Sequence, residues 1–119
     1  MSTPAKPVGP YTPVVRAGDW LVVSGQVGLT DGAIVRGGLA AELRQAIANL
    51  GAHLATEGAT LGHVVKTTVF LRHMSDYPVM NETYVAAFGD HRPARSAIGV
   101  AELPLGALVE VEAWAWVGG

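Results

Sequence analysis

The sequence predicts an α+β protein, a mixed sheet of about six strands with two helices packed on one face. Three observations predict it. Apolar residues recur with helical period in only two stretches of the chain. Extended, β-branched stretches surround them in the order β β β α β α β β, which is one sheet carrying two helices. The last extended stretch sorts its residues into two unlike faces, one wholly apolar and one mixing carboxylates with indoles. Two right-handed crossovers would set both helices on the same side of the sheet and leave the other side bare.

Taken in order, Met1 to Pro10 hold three of the seven prolines and few other apolar residues, so residues 1–8 are expected to be an extended arm on a single domain of residues 1–119. Val14 to Arg16 and Trp20 to Ser24 are short β-rich runs split by Gly18-Asp19, the composition of a tight hairpin. Thr30-Asp31-Gly32 marks another turn before Ala33 to Val35. Leu39, Leu43, Ile47, Leu50 and Leu54 then form the stripe of an amphipathic helix, with Gly58 available to end it. His63 to Arg72 is the most β-branched run and is predicted to lie inside the sheet, with the strand–helix–strand passage favouring parallel pairing. Ser75 or Asp76 can cap the second helix, Pro78 fits its first turn, and Tyr77, Met80, Tyr84, Ala87 and Phe88 supply its stripe up to Gly89. Ala94 to Ala101 and Leu108 to Val117 are the final strands, joined by a loop with Pro104 and Gly106.

Composition narrows the function. Half of the 119 residues are hydrophobic, 15% are charged and the net charge is −2, so a grip on nucleic acid through its phosphates has no basic patch to rest on. The absence of cysteine removes disulfides, thiolate catalysis and Cys-based zinc sites together. No apolar run approaches the ~18 residues of a membrane span, and MSTPAKPVGPYTP lacks a signal-peptide core, so a cytoplasmic location is expected.

The chemistry-bearing residues concentrate between Arg92 and Glu112. Arg95 has a planar guanidinium that binds a carboxylate through two parallel hydrogen bonds, although a structural salt bridge accounts for it equally well at this point. Glu110 and Glu112 share a strand face, and like charges two residues apart favour holding a proton, a property useful for proton transfer. Solvated edge charges are the ordinary alternative, weakened because Trp114 and Trp116 share that face. His53, His63, His73 and His91 lack ligand spacing and read as surface or loop residues, so no metal site is expected. Ser24 stands outside any GxSxG elbow, and Lys66 reads as a surface amine whose stem lies along the sheet.

GPY at Gly9 to Tyr11, VSGQV at Val23 to Val27, VVKTTVFL at Val64 to Leu71, the MN ending at Asn81, RPARS at Arg92 to Ser96 and LVEVEA at Leu108 to Ala113 together resemble the YjgF/YER057c/UK114 family, whose best-known branch is RidA. The resemblance runs in order over nearly the whole chain. It implies a chorismate-mutase-like subunit, a homotrimer with sites at the subunit interfaces, and hydrolysis of 2-imino (2-enamino) acids to 2-keto acids and ammonia, with no cofactor. It also implies that Arg95 binds the substrate carboxylate, that Glu110 positions the water, and that Tyr11, Ser24, Gly25 and Asn81 line the pocket. The implied partners are small 2-imino and 2-keto acids and further copies of the chain, without nucleic acid or membrane. A non-catalytic ligand-binding or chaperone-like protein, or a deaminase of the aminomuconate or aminoacrylate type, is the competing reading. The chain departs from the pattern at Thr12-Pro13, in the loop from Gly28 to Gly32 and at Ala97, positions that bear on side-chain preference more than on reaction class.

Overall fold

The structure is a computed structural model that describes Pro7 and residues 9–119. The expected arm of residues 1–8 falls, Pro7 apart, outside the described residues. The elements in chain order are β1 (Val14–Ala17), β2 (Trp20–Gln26), β3 (Leu29–Thr30), β4 (Ala33–Ile34), α1 (Gly38–Ala55), β5 (Val64–Leu71), α2 (Tyr77–Phe88), β6 (Ala94–Gly99) and β7 (Val109–Trp116). Five strands form the main sheet in the order β1-β2-β7-β5-β6, and β3 with β4 makes a separate two-stranded hairpin.

The strand order qualifies one expectation. β2 and β5 run parallel, as a crossover through α1 requires, but they do not pair: β7 lies between them and is antiparallel to both. The direct parallel pair is β5 with β6, joined through α2. The final strand therefore closes the gap that the first crossover leaves open, and becomes the middle of the sheet.

Alternation in β7 sorts the two faces. Val109, Val111, Ala113 and Ala115 are buried and join Leu21, Val23, Val64, Val69 and Leu71 beneath the helices. The stripe Leu39, Leu43, Ile47, Leu50 and Leu54 of α1 packs on this face, as do Met80, Tyr84 and Phe88 of α2. Each buried Leu or Val of this set contributes about 1.5–3 kcal/mol relative to exposure, which is where the stability of the subunit resides. The last turn of α1 is followed by Gly58 at φ +74°, and α2 ends on Gly89 at φ +67°. Asp76 holds the cap position of α2 but makes no side-chain cap bond; a single tight turn, Met74–Asp76, leads the chain in instead. Among the described residues no helix is long and apolar enough to cross a membrane.

The opposite face carries no helix. Trp20, Trp114 and Trp116 cluster at one end of it, with ring centroids 5.9 Å and 5.1 Å from Trp20 to the other two and edge-on geometry. Trp114 and Trp116 are 45% and 42% exposed. Leu108, just before β7, packs against the core. Lys66 lies half-buried on this bare face and donates to Ser96 Oγ at 2.7 Å across the β5–β6 pair.

His53 corrects a second expectation. It is buried in the last turn of α1 between Leu50 and Leu54, and burial lowers its pKa. His91 is half-buried and bonds the Val64 carbonyl at 2.7 Å, whereas His63 closes a capping box with Thr60 and His73 is exposed.

Candidate active site

Arg95 lies on β6 opposite Thr67 of β5, whose side chain points to the helices, so the guanidinium emerges on the helix-covered side at the edge of the sheet. There α2 meets it. The guanidinium carbon stands 5.0 Å from the ring centroid of Tyr84 and 5.6 Å from that of Tyr77. Nη2 donates to the Tyr77 hydroxyl at 3.1 Å, and Nη1 points at Met80 Sδ at 3.5 Å. The Tyr84 hydroxyl is bonded to Thr67 Oγ1 at 2.7 Å in a buried pair, which fixes the ring under the cation. Burial raises the Tyr84 pKa, opposed in part by the Thr67 bond and by the Arg95 and Arg92 charges. Among the described residues the one ion pair is Arg16–Glu57 at 3.5 Å, so within one copy no carboxylate stands beside Arg95. Asn81, one helical turn beyond Tyr77, is half-buried on the same flank of α2.

Glu110 belongs to the other face. It alternates with buried Val109 and Val111 on β7 and pairs with Phe70 of β5. Its carboxylate lies directly against Gly25: a Cβ placed on that glycine would sit 2.5 Å from Glu110 Oε2. The β2–β7 ladder is irregular between Val23 and Gln26, the stretch that holds Ser24 and Gly25. Ser24 ties the incoming chain to this point, with Oγ donating to the Thr12 carbonyl at 2.6 Å and its N–H to the Pro13 carbonyl at 2.8 Å. Tyr11, exposed, precedes that tether by one residue. Burial pushes the Glu110 carboxyl above its ordinary pKa, and Glu112, two residues on along the same face, adds to the rise.

The site residues therefore form two groups. Gly25 and Glu110 meet at the irregularity in β2, with Ser24 next in the chain and Tyr11 leading into it; Arg95 lies across the sheet with Tyr77, Met80 and Tyr84, on the helix that carries Asn81. The registers set Arg95 and Glu110 two strands apart and three residues out of step, roughly 14 Å between Cα atoms, and on opposite faces. Tyr77 and Tyr84 were legible in the sequence only as part of a helical stripe; their spacing of seven, two turns of one face, is the signal that they act on a common neighbour. Among the described residues no three His, Asp or Glu side chains come together as a metal site.

The endoribonuclease L-PSP family profile matches residues 1–117. The chain belongs to the endoribonuclease L-PSP family. Its L-PSP-family relatives include the 2-iminobutanoate/2-iminopropanoate deaminase of Mus musculus, 44% identical over 93% of this chain and 84% of that protein. A RutC family protein of Pyrococcus horikoshii is 41% identical over 93% of this chain and 90% of its own length. Among solved structures, RidA from the Antarctic bacterium Psychrobacter sp. PAMC 21119 superposes with a TM-score of 0.90 at 37% identity, covering 97% of this chain and 94% of that one. The YjgF gene product from E. coli gives 0.88 at 37% identity, covering 96% and 92%. The resemblance to YjgF and RidA proteins seen in the sequence holds for the L-PSP-type fold as well.

Proposed function

We propose that the protein hydrolyses reactive 2-imino acids, and the 2-enamino acids that tautomerise to them, to 2-keto acids and ammonia. The observation that carries this reading is the state of Arg95: a guanidinium held between two tyrosine rings, half-exposed, with no carboxylate of its own. Such a cation is a ready receptor for a substrate carboxylate. The naming of mammalian relatives at about 40% identity as imine deaminases supports the same substrate class.

In the reaction the oxygen of water bonds to C2 of the protonated imine while the C=N π pair moves onto nitrogen. Glu110 accepts the proton that the water gives up. In the resulting carbinolamine Glu110 returns that proton to the nitrogen and takes the hydroxyl proton as the oxygen forms C=O. The C–N bond breaks and ammonia leaves the 2-keto acid behind, finally carrying the proton from Glu110 away as ammonium. A carboxyl with a raised pKa is suited to take and return that proton near neutral pH.

A molecule as small as a 2-imino acid does not span from Arg95 to Glu110 of one copy. Their placement on opposite faces supports a site completed between copies, with Arg95 and Asn81 from one subunit and Tyr11, Ser24, Gly25 and Glu110 from the next, closed into a homotrimer. The test is keto acid release from 2-iminobutanoate generated in situ. Arg95→Ala is expected to lower kcat/KM by at least roughly 30-fold, the loss of about 2 kcal/mol or more from a desolvated charge contact. Arg95→Lys should recover little, because it keeps charge but loses the fork. A release rate equal to buffer for the unaltered protein across several imines would end this reading.

A further inference from the structure

The hydroxyl of Tyr77 is only half used. Its oxygen stands 3.1 Å from Arg95 Nη2, and a guanidinium carries donors alone, so Arg95 donates and Tyr77 accepts. The hydroxyl hydrogen is left over, and among the described residues no acceptor meets it. Tyr84 is the instructive contrast: its ring also lies under Arg95, but its hydroxyl is occupied by Thr67 in a buried bond. Two tyrosines thus hold one cation, and only Tyr77, 38% exposed at the first residue of α2, carries a free O–H on the solvent side. The contact on the other guanidinium nitrogen is the Met80 sulfur, a weak acceptor that does not compete with an incoming anion.

We propose that Tyr77 is a carboxylate-binding residue, donating its O–H to the substrate carboxylate that Arg95 grips and adding a third hydrogen bond to the two-pronged contact. The inference rests on the reading of Arg95 given above and adds a residue to it. A phenol whose oxygen accepts a hydrogen bond from a cation is polarised, and its hydrogen becomes a better donor. An O–H to carboxylate bond is among the stronger hydrogen bonds in proteins. The carboxylate keeps its charge throughout hydrolysis of the neighbouring C=N bond, so the bond is equally strong before and during the reaction. Its loss therefore appears in KM and not in kcat.

The experiment compares the unaltered protein with Tyr77→Phe and Arg95→Ala, measuring kcat and KM for 2-iminobutanoate generated in situ and the competitive inhibition constant of 2-oxobutanoate. Tyr77→Phe is expected to raise KM and the inhibition constant together by roughly tenfold, the loss of one hydrogen bond to a charged group, with kcat held within about twofold. Its thermal midpoint should match the parent, since the hydroxyl removed is exposed. If Arg95→Ala weakens both constants while Tyr77→Phe leaves them unchanged, the Tyr77 assignment is overturned and the Arg95 reading stands. A fall in kcat and thermal midpoint with KM unchanged would make Tyr77 structural, which also overturns it. If Arg95→Ala changes neither constant, the reading of Arg95 fails and Tyr77 falls with it.

Discussion

Glu110 occupies an unfavourable position for a carboxylate, half out of water, against the backbone of Gly25 and two residues from a second acid. The folded protein holds a proton on it more tightly than the unfolded chain does. Between the ordinary carboxylate range and the raised folded value, the native state binds more protons, so stability falls as pH rises through that window. At neutral pH the charged form is a net cost to folding. Glu110→Gln is therefore expected to raise the thermal midpoint at pH 7 while lowering kcat by roughly 10²–10⁴. The stability gain should shrink on acidification, as Glu110 itself becomes neutral. A glutamine variant less stable than the parent at pH 7 would show that the acid is not strained by its surroundings.

Two glycines of neighbouring elements separate function from folding. A Cβ on Gly25 meets a flexible side-chain carboxylate, whereas a Cβ on Gly28 would stand 2.7 Å from the Glu42 carbonyl oxygen and 2.8 Å from its Cα, on the backbone of α1. Gly25→Ala should leave the fold in place and cut turnover by displacing Glu110. Gly28→Ala should push α1 off the sheet at about 1–3 kcal/mol, read as a lower midpoint in denaturant. The elements themselves were legible because periodicity is a local property: the stripe from Leu39 to Leu54 and the alternation from Val109 to Ala115 each appear within one segment. What is non-local was not legible. That β7 inserts between β2 and β5 depends on pairing between distant segments, and that α2 lays Tyr77 and Tyr84 against Arg95 depends on how the helix crosses β6. His53 misled for the related reason that a polar ring near a helix end reads as surface until the sheet beneath the helix is in place. Arg95 and Glu110 themselves were visible through the family motifs PARS and EVE, but not that they face opposite sides.

For the whole molecule, the bare face is the feature that a single copy leaves unresolved. Exposed Trp114 and Trp116 stand beside Lys66, Glu112 and Glu110 on a surface without a helix, and monomeric proteins seldom expose contiguous apolar patches of this kind. Under the proposed trimer, Trp114→Glu should break assembly and deamination together, checked by light scattering alongside keto acid release. A fully active monomer at micromolar concentration would return the site to one subunit. The same cluster has an optical consequence. All three tryptophans of the chain are in it, so every indole that emits light lies on the face proposed to be covered. Dilution through the dissociation range should shift the intrinsic emission to longer wavelength as water reaches the rings, which makes the unlabelled protein its own fluorescent gauge of association.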